Sequence, residues 1–221
     1  MTKRDLIIVG IGGQGREVLQ IARDQDEADG CWNVIGFVDD GEDLPSDVHG
    51  FPVLGQIAYI VRYPSAAVCV AIGSSKSRRL AARLISEQSP NGFATLRHPL
   101  AWVGAHTEIG VGSVLFPGAR VSTGVTMGHH CIVNTNASVS HDCTVRDFVT
   151  IAPGVIVSGH STLEEGCEVG AGAALVPFAR VGEWAIVGAG ATVVDSIPPR
   201  TTAVGTPARP ISQVSNISSK L

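Results

Sequence analysis

Aromatic side chains are scarce in this chain, at 5% of its 221 residues. A core built on large rings is therefore not expected. Neither sign of charge predominates: 16 basic and 20 acidic residues leave a formal net charge of −4, which gives nucleic-acid binding no electrostatic support. Long apolar runs are absent too. Leu6-Ile7-Ile8-Val9, behind Lys3, Arg4 and Asp5, is too short for a membrane span or for the apolar part of a secretory signal. The five cysteines are odd in number and contain no CxxC pair, which argues against a disulfide framework and a zinc site. A reduced, cytoplasmic protein without a metal is expected.

Small residues, by contrast, are plentiful, with 26 glycines. Two stretches obey different patterns. Residues 1–96 alternate short apolar runs with amphipathic segments. Leu6–Val9, Val34–Val38 and Val68–Ile72 read as buried strands, while Glu17–Arg23 and Arg78–Glu87 have helical periodicity. This predicts a small Rossmann-like α/β unit with a mostly parallel sheet. The segment 41–55 is rich in turn residues and receives no assignment.

Residues 97–221 follow another rule. Every sixth residue from Val103, Ile109 and Leu115 through to Val187 and Val193 is aliphatic or Met. The fifth place of each hexad is almost always small or medium, and Cys131, Cys143 and Cys167 fall there. A hexad of this kind is a short strand plus a corner, with one aliphatic side chain directed into a narrow coil. The three cysteines are then interior filler. Over about residues 98–211 the pattern resembles the hexapeptide-repeat acyltransferases, whose repeat winds a left-handed parallel β-helix with three hexads in each coil. The resemblance extends to Asp195-Ser196-Ile197-Pro198 and Val204-Gly205-Thr206-Pro207-Ala208-Arg209.

With three hexads per coil, His141 stands at a corner, and Gly159 follows one coil later, about 4.8 Å along the stack. The next corner stacks Thr135, Pro153, Ala171 and Ala189. Acyl transfer to an amine needs a base for the amine proton and a donor for the developing oxyanion. His141 suits the first task, since an imidazole ordinarily titrates at about 6.5. The Gly159 N–H, left open by the missing side chain, suits the second. Asp142 is placed to orient the imidazole, provided the corner bends enough to bring two adjacent side chains together. Asn134-Thr135 and Ser140-His141-Asp142-Cys143 match the motif of the nucleotide-aminosugar N-acetyltransferases, within the sialic-acid O-acetyltransferase-like family. The resemblance implies His141 as base and Asp142 as its modulator. Many relatives carry a second His nine residues on, near the acetyl group. Thr150 holds that position here. His160 is a weaker candidate, and His129 and His130 are expected at the surface.

In the first half, Gly10-Ile11-Gly12-Gly13-Gln14-Gly15 follows a strand and opens a helix, with Asp39 at the end of the next strand. That is a phosphate-binding fingerprint. The unit is too short for a dinucleotide, so a nucleoside diphosphate fits better. The family resemblance implies that Gly12, Gly13 and Gln14, the Asp39-Asp40 pair and the segment Ile72-Gly73-Ser74-Ser75-Lys76-Ser77-Arg78 contact a nucleotide sugar. Lys76 would offer charge, and Asp39 or Asp40 would accept hydrogen bonds from the base.

The resemblance further implies acetyl-CoA along the β-helix. Its thioester would lie near Gly159 and Thr150, and its pantetheine against Ala171 and Ala189. Arg180, Arg200 or Arg209 would meet its 3′-phosphate. It also implies a homotrimer with sites between subunits. The expected reaction is N-acetylation of a nucleotide-linked 4-amino sugar, GDP-perosamine ahead of UDP- and dTDP-linked ones. The alternatives are O-acetylation of a sugar hydroxyl and a non-catalytic, nucleotide-sensing trimeric scaffold.

Overall fold

A run of four aliphatic residues can be buried on both faces only at the centre of a covered sheet. In the computed structural model, which describes residues 3–88 and 92–213, Leu6, Ile7, Ile8 and Val9 are wholly buried there. The chain runs β1 (Arg4–Val9), α1 (Gly13–Asp29), β2 (Trp32–Val38), β3 (Asp47–Val48), β4 (Phe51–Gly55), a 3₁₀ turn (Ile57–Arg62), β5 (Ala67–Val70) and α2 (Ser75–Gln88). The sheet order is β3-β4-β2-β1-β5. All pairings are parallel except β3 with β4. The helix α1 stops at Gly30, whose left-handed backbone lets its N–H bond the Asp26 carbonyl at 2.7 Å. The unassigned segment 41–55 holds the hairpin β3–β4. Its two-residue turn, His49-Gly50, has φ of 52° and 82°. Those values suit the primed hairpin turns, but His is not their usual first residue, so the sequence hid the turn.

From residue 102 to 193 the chain forms two-residue strands six residues apart, paired in parallel in three sheets. One of these sheets ends on Thr201–Val204 and Arg209–Gln213, which pair antiparallel. One sheet takes Trp102–Val103, Arg120–Val121, Ser138–Val139, Ile156–Val157, Ala174–Leu175 and Thr192–Val193. Val121 pairs with Val139, and Val139 with Val157. The 18-residue coil is therefore unbroken. Each sixth residue from Leu115 to Val193 is at most 2% exposed. The wall is closed by backbone bonds between coils, and a fixed bore admits only a narrow range of side-chain volumes. Cys131, Cys143 and Cys167 lie in this interior, and all five cysteines are free thiols.

The chain divides into two units between Pro99 and Leu100, three residues after the 96/97 boundary read from the sequence. Among the described residues no helix is long and apolar enough to cross a membrane.

Candidate active site

In the first unit, the glycines of the turn after β1 have two different reasons to be glycine. Gly10 has φ 106°, and a Cβ there would come 2.9 Å from the Ala71 carbonyl. A Cβ on Gly15 would fall 1.9 Å from the Gly10 oxygen. Gly10 thus lets the turn pass close to the end of β5, and Gly15 lets the start of α1 lie against the end of β1. A Cβ on Gly12 or Gly13 would meet nothing within 4 Å, so internal packing does not call for glycine at either. The first-turn amides of α1 also lack a side-chain cap, which suits an anion. Gln14 Nε2 is buried without a partner among the described residues. We expect Gly15→Ala to unfold or strongly destabilise the protein, by about 3 kcal/mol or more. Gly12→Ala should leave the melting temperature unchanged. Thermal melts of the two variants check this contrast.

The two aspartates after β2 are not equivalent. Asp39 accepts from the Ile11 N–H at 3.0 Å and the Gly41 N–H at 2.8 Å, one bond to each oxygen. It ties the Gly-rich turn to the end of β2. Asp40 accepts from the Ile57 N–H through Oδ1 at 2.9 Å and lines a cleft of roughly 420 Å³. This cleft lies beyond the C-terminal ends of β1 and β2 and is walled by Ile57, Ile72, Leu80 and Leu84. Such a crevice is where open α/β sheets take ligands. Lys76 is exposed on the first turn of α2. Arg78, the end of the same segment, is fully buried and donates to the Ile72 and Gly73 carbonyls at 2.8 and 2.9 Å. It shapes the loop rather than facing the cleft. Beside it, burial pushes the Cys69 thiol up to about 12, with Arg78 opposing.

In the second unit, the corner between Val139 and Thr144 bends because Asp142 adopts a left-handed backbone, φ 56°. The bend brings its carboxylate to His141, with Nδ1 to Oδ2 at 2.8 Å. A carboxylate only accepts, so in the neutral imidazole Nδ1 is the donor and Nε2 is left with its lone pair. Both side chains are half exposed. One coil later the His160 N–H donates to the His141 carbonyl at 3.1 Å. A Cβ on Gly159 would lie 2.8 to 2.9 Å from Cε1 and Nε2 of His141. The imidazole therefore rests on Gly159, as the coil count predicts. Gly159 is not open to solvent, however. It is buried because the ring covers it. Among the described residues no backbone hydrogen bond engages its N–H.

Cys143 is no rival nucleophile. Burial foremost raises its thiol above the ordinary value, and its Sγ donates to the Ser158 carbonyl at 3.2 Å. His160 joins the corner more closely than expected: its Nε2 lies 3.8 Å from Asp142 Oδ2. Applying the coil spacing to Asp142 as well as to His141 would have found it. His129 is exposed, but His130 is a correction. It is 5% exposed, its ring stacks on Phe148 at 5.1 Å, and a Cβ on Gly112, one coil earlier, would strike it.

Of the expected acetyl-CoA residues, Gly159 lies at the His141 corner, and the others do not gather there within the same chain. Thr150 is on another sheet, paired with Ile132 and Glu168. Ala171 and Ala189 stack at a different corner, where the Gly190 N–H donates to the Ala171 carbonyl. Arg180, Arg200 and Arg209 pair with Glu164, Glu183 and Asp195.

Comparison with known proteins agrees with both units. Residues 5–85 match the family described as the PglD N-terminal domain. GDP-perosamine N-acetyltransferase of Escherichia coli O157:H7 is 33% identical over 170 residues, 76% of this chain and 76% of that protein. The acetyltransferase domain of PglB from Neisseria gonorrhoeae FA1090, solved with acetyl coenzyme A, superposes with a TM-score of 0.84 at 33% identity, over 95% of this chain and 100% of that one. PerB from Caulobacter crescentus, solved with CoA and GDP-perosamine, gives 0.84 at 28% identity, over 94% and 97%.

Proposed function

Because the chain belongs to the family of nucleotide-sugar N-acetyltransferases that joins a PglD N-terminal domain to a left-handed β-helix, we propose that it moves the acetyl group of acetyl-CoA to the 4-amino group of a nucleotide-linked dideoxy sugar, GDP-perosamine first. The observation that carries the mechanism is the His141 imidazole, fixed by Asp142 at 2.8 Å and resting on Gly159.

In this reading the sugar nitrogen attacks the thioester carbonyl carbon, and His141 Nε2 takes the proton it sheds. The carbonyl oxygen, now negative, is met by the Gly159 N–H. The imidazole must move off the glycine to admit it, and its exposure leaves room for that. As the carbonyl re-forms, the C–S bond breaks, and the proton on His141 passes to the departing sulfur. Amide and coenzyme A result. Asp142 keeps the proton on Nδ1 and stabilises the imidazolium while it lasts.

The nucleotide sugar is read by the first unit. The bare amides of Gly12 and Gly13 and the Gln14 side chain take the diphosphate. Lys76 adds charge. Asp40, with an oxygen to spare, takes the guanine donors in the apolar cleft. Asp39 acts through its hold on the Gly-rich turn. Gly12→Ala should accordingly raise KM for the nucleotide sugar about tenfold, with KM for acetyl-CoA unchanged in initial-rate assays.

Thr150, Ala171 and Ala189 lie away from His141 within one chain. If they flank the acetyl and pantetheine groups, they do so from a second copy, which supports a homotrimer with shared sites. The fit on this chain is the small-residue corner at Ala171 and Ala189 and the glycine beneath the base.

Thiol release from acetyl-CoA, measured with GDP-, UDP- and dTDP-linked 4-amino sugars, tests the reading. The GDP sugar should give the highest kcat/KM. Silence with all three would leave a nucleotide-sensing scaffold.

A further inference from the structure

At the His141 corner, the fourth place of the hexad carries Gly124, Asp142, His160 and Phe178 in successive coils. Their φ angles are 68°, 56°, 59° and 63°. Glycine takes this conformation freely, whereas other residues are held in it at a cost of about 1 kcal/mol each. The side chains put there form one column. His160 lies parallel to Phe178, ring centres 4.9 Å apart and planes 4° from each other. It meets the His141 ring edge-on, at 5.2 Å and 88°. Its Nε2 is 3.8 Å from Asp142 Oδ2, the oxygen that binds His141 Nδ1. Phe178 is 73% exposed, so it fills no core. What it does contact is the His160 ring.

We propose that His160 is a positioning residue for the acetyl transfer, acting on Asp142 and His141 rather than on substrate. This rests on the reading of His141 as base. The Asp142 carboxylate is half exposed and free to turn about its side-chain bonds, and water competes for each of its oxygens. A second imidazole beside Oδ2, braced from behind by Phe178, keeps the carboxylate facing His141. The edge-on contact also limits how far the His141 ring can travel once it leaves Gly159. Both effects narrow the directions open to Nε2, and catalysis is sensitive to misplacement of this kind. The titratable groups facing His160 in this column are Asp142 and His141.

The test is a double-mutant cycle on the full chain. His160→Gly suits the left-handed corner, as Gly124 does, and His160→Asn tolerates it. Each should fold with an unchanged melting temperature. His160→Gly should lower kcat about tenfold with both KM values within about twofold. His160→Asn places its amide where Nδ1 stood, short of the 3.8 Å contact that Nε2 makes with Asp142, and should lose about as much. In an Asp142→Asn background, itself impaired, neither substitution should cost anything further, because the group it acts through is gone. An unchanged kcat, a selective rise in one KM, or the same loss in both backgrounds would overturn the inference. His141→Asn, run alongside, separates the two levels. If it turns over normally, the base assignment itself fails; if it is dead while the His160 variants are unaffected, only this inference does.

Discussion

His141→Asn should lower kcat by about 10²–10⁴-fold, the usual contribution of a positioned general base. KM for the nucleotide sugar should stay near its original value, because on the proposed reading the first unit, not His141, holds the diphosphate and base. Asparagine is close in size to the first half of the imidazole and offers an amide where Nδ1 stood, so the Asp142 contact at 2.8 Å has a successor and the corner keeps its shape. What disappears is the lone pair on Nε2. The melting temperature should hardly move, since the ring is half exposed and contributes little to the core. Loss of kcat without loss of stability or substrate affinity is the signature of a group that works in the transition state. Steady-state rates at saturating acetyl-CoA, with a thermal melt as control, measure it.

Gly159→Ala should cost about 10²-fold or more in kcat. The added methyl group would sit 2.8 to 2.9 Å from Cε1 and Nε2 of His141. The backbone of residue 159 is locked into the stack by the Phe178 N–H, which bonds its carbonyl at 3.0 Å. The ring, being exposed, is the part that yields. A single methyl thus displaces the base and covers the amide assigned to the oxyanion. The same substitution at Gly12, where a Cβ meets nothing within 4 Å, should leave kcat intact and act on sugar affinity alone. Measuring kcat and both KM values for the two alanine variants tests whether the acyl and nucleotide sites divide as described.

Why the coil was legible in the sequence while the corner chemistry was only half legible has a physical answer. A bore of constant width forces the same aliphatic volume at Leu115, Val133, Ile151 and Val169, and that repetition is visible as spacing. The stacking of Gly159 on His141 follows from the same count. The contact between His141 and Asp142 does not, because adjacent residues meet only when the second takes a left-handed backbone. The signal that could have shown it is the hexad place of Asp142, which is glycine at 118, 124, 154 and 166, all with positive φ. Burial of His130 was hidden for a related reason: the space for its ring comes from Gly112, a full coil away in sequence. In the α/β unit, the pattern located the Gly-rich turn but not its division of labour. Gly15 proves to be a packing glycine, Asp39 is spent on the backbone, and Arg78 is an internal brace for its own loop. Each of these depends on where a carbonyl or an amide comes to rest, which composition does not record.

The most direct measurement is the chemical nature of the product that the unmodified protein forms from acetyl-CoA and GDP-perosamine. Mass spectrometry should show one added acetyl group, stable to mild alkali as an amide is, with coenzyme A released in equal amount. An alkali-labile acetyl ester on a sugar hydroxyl, or no acetylated sugar at all, would contradict the account.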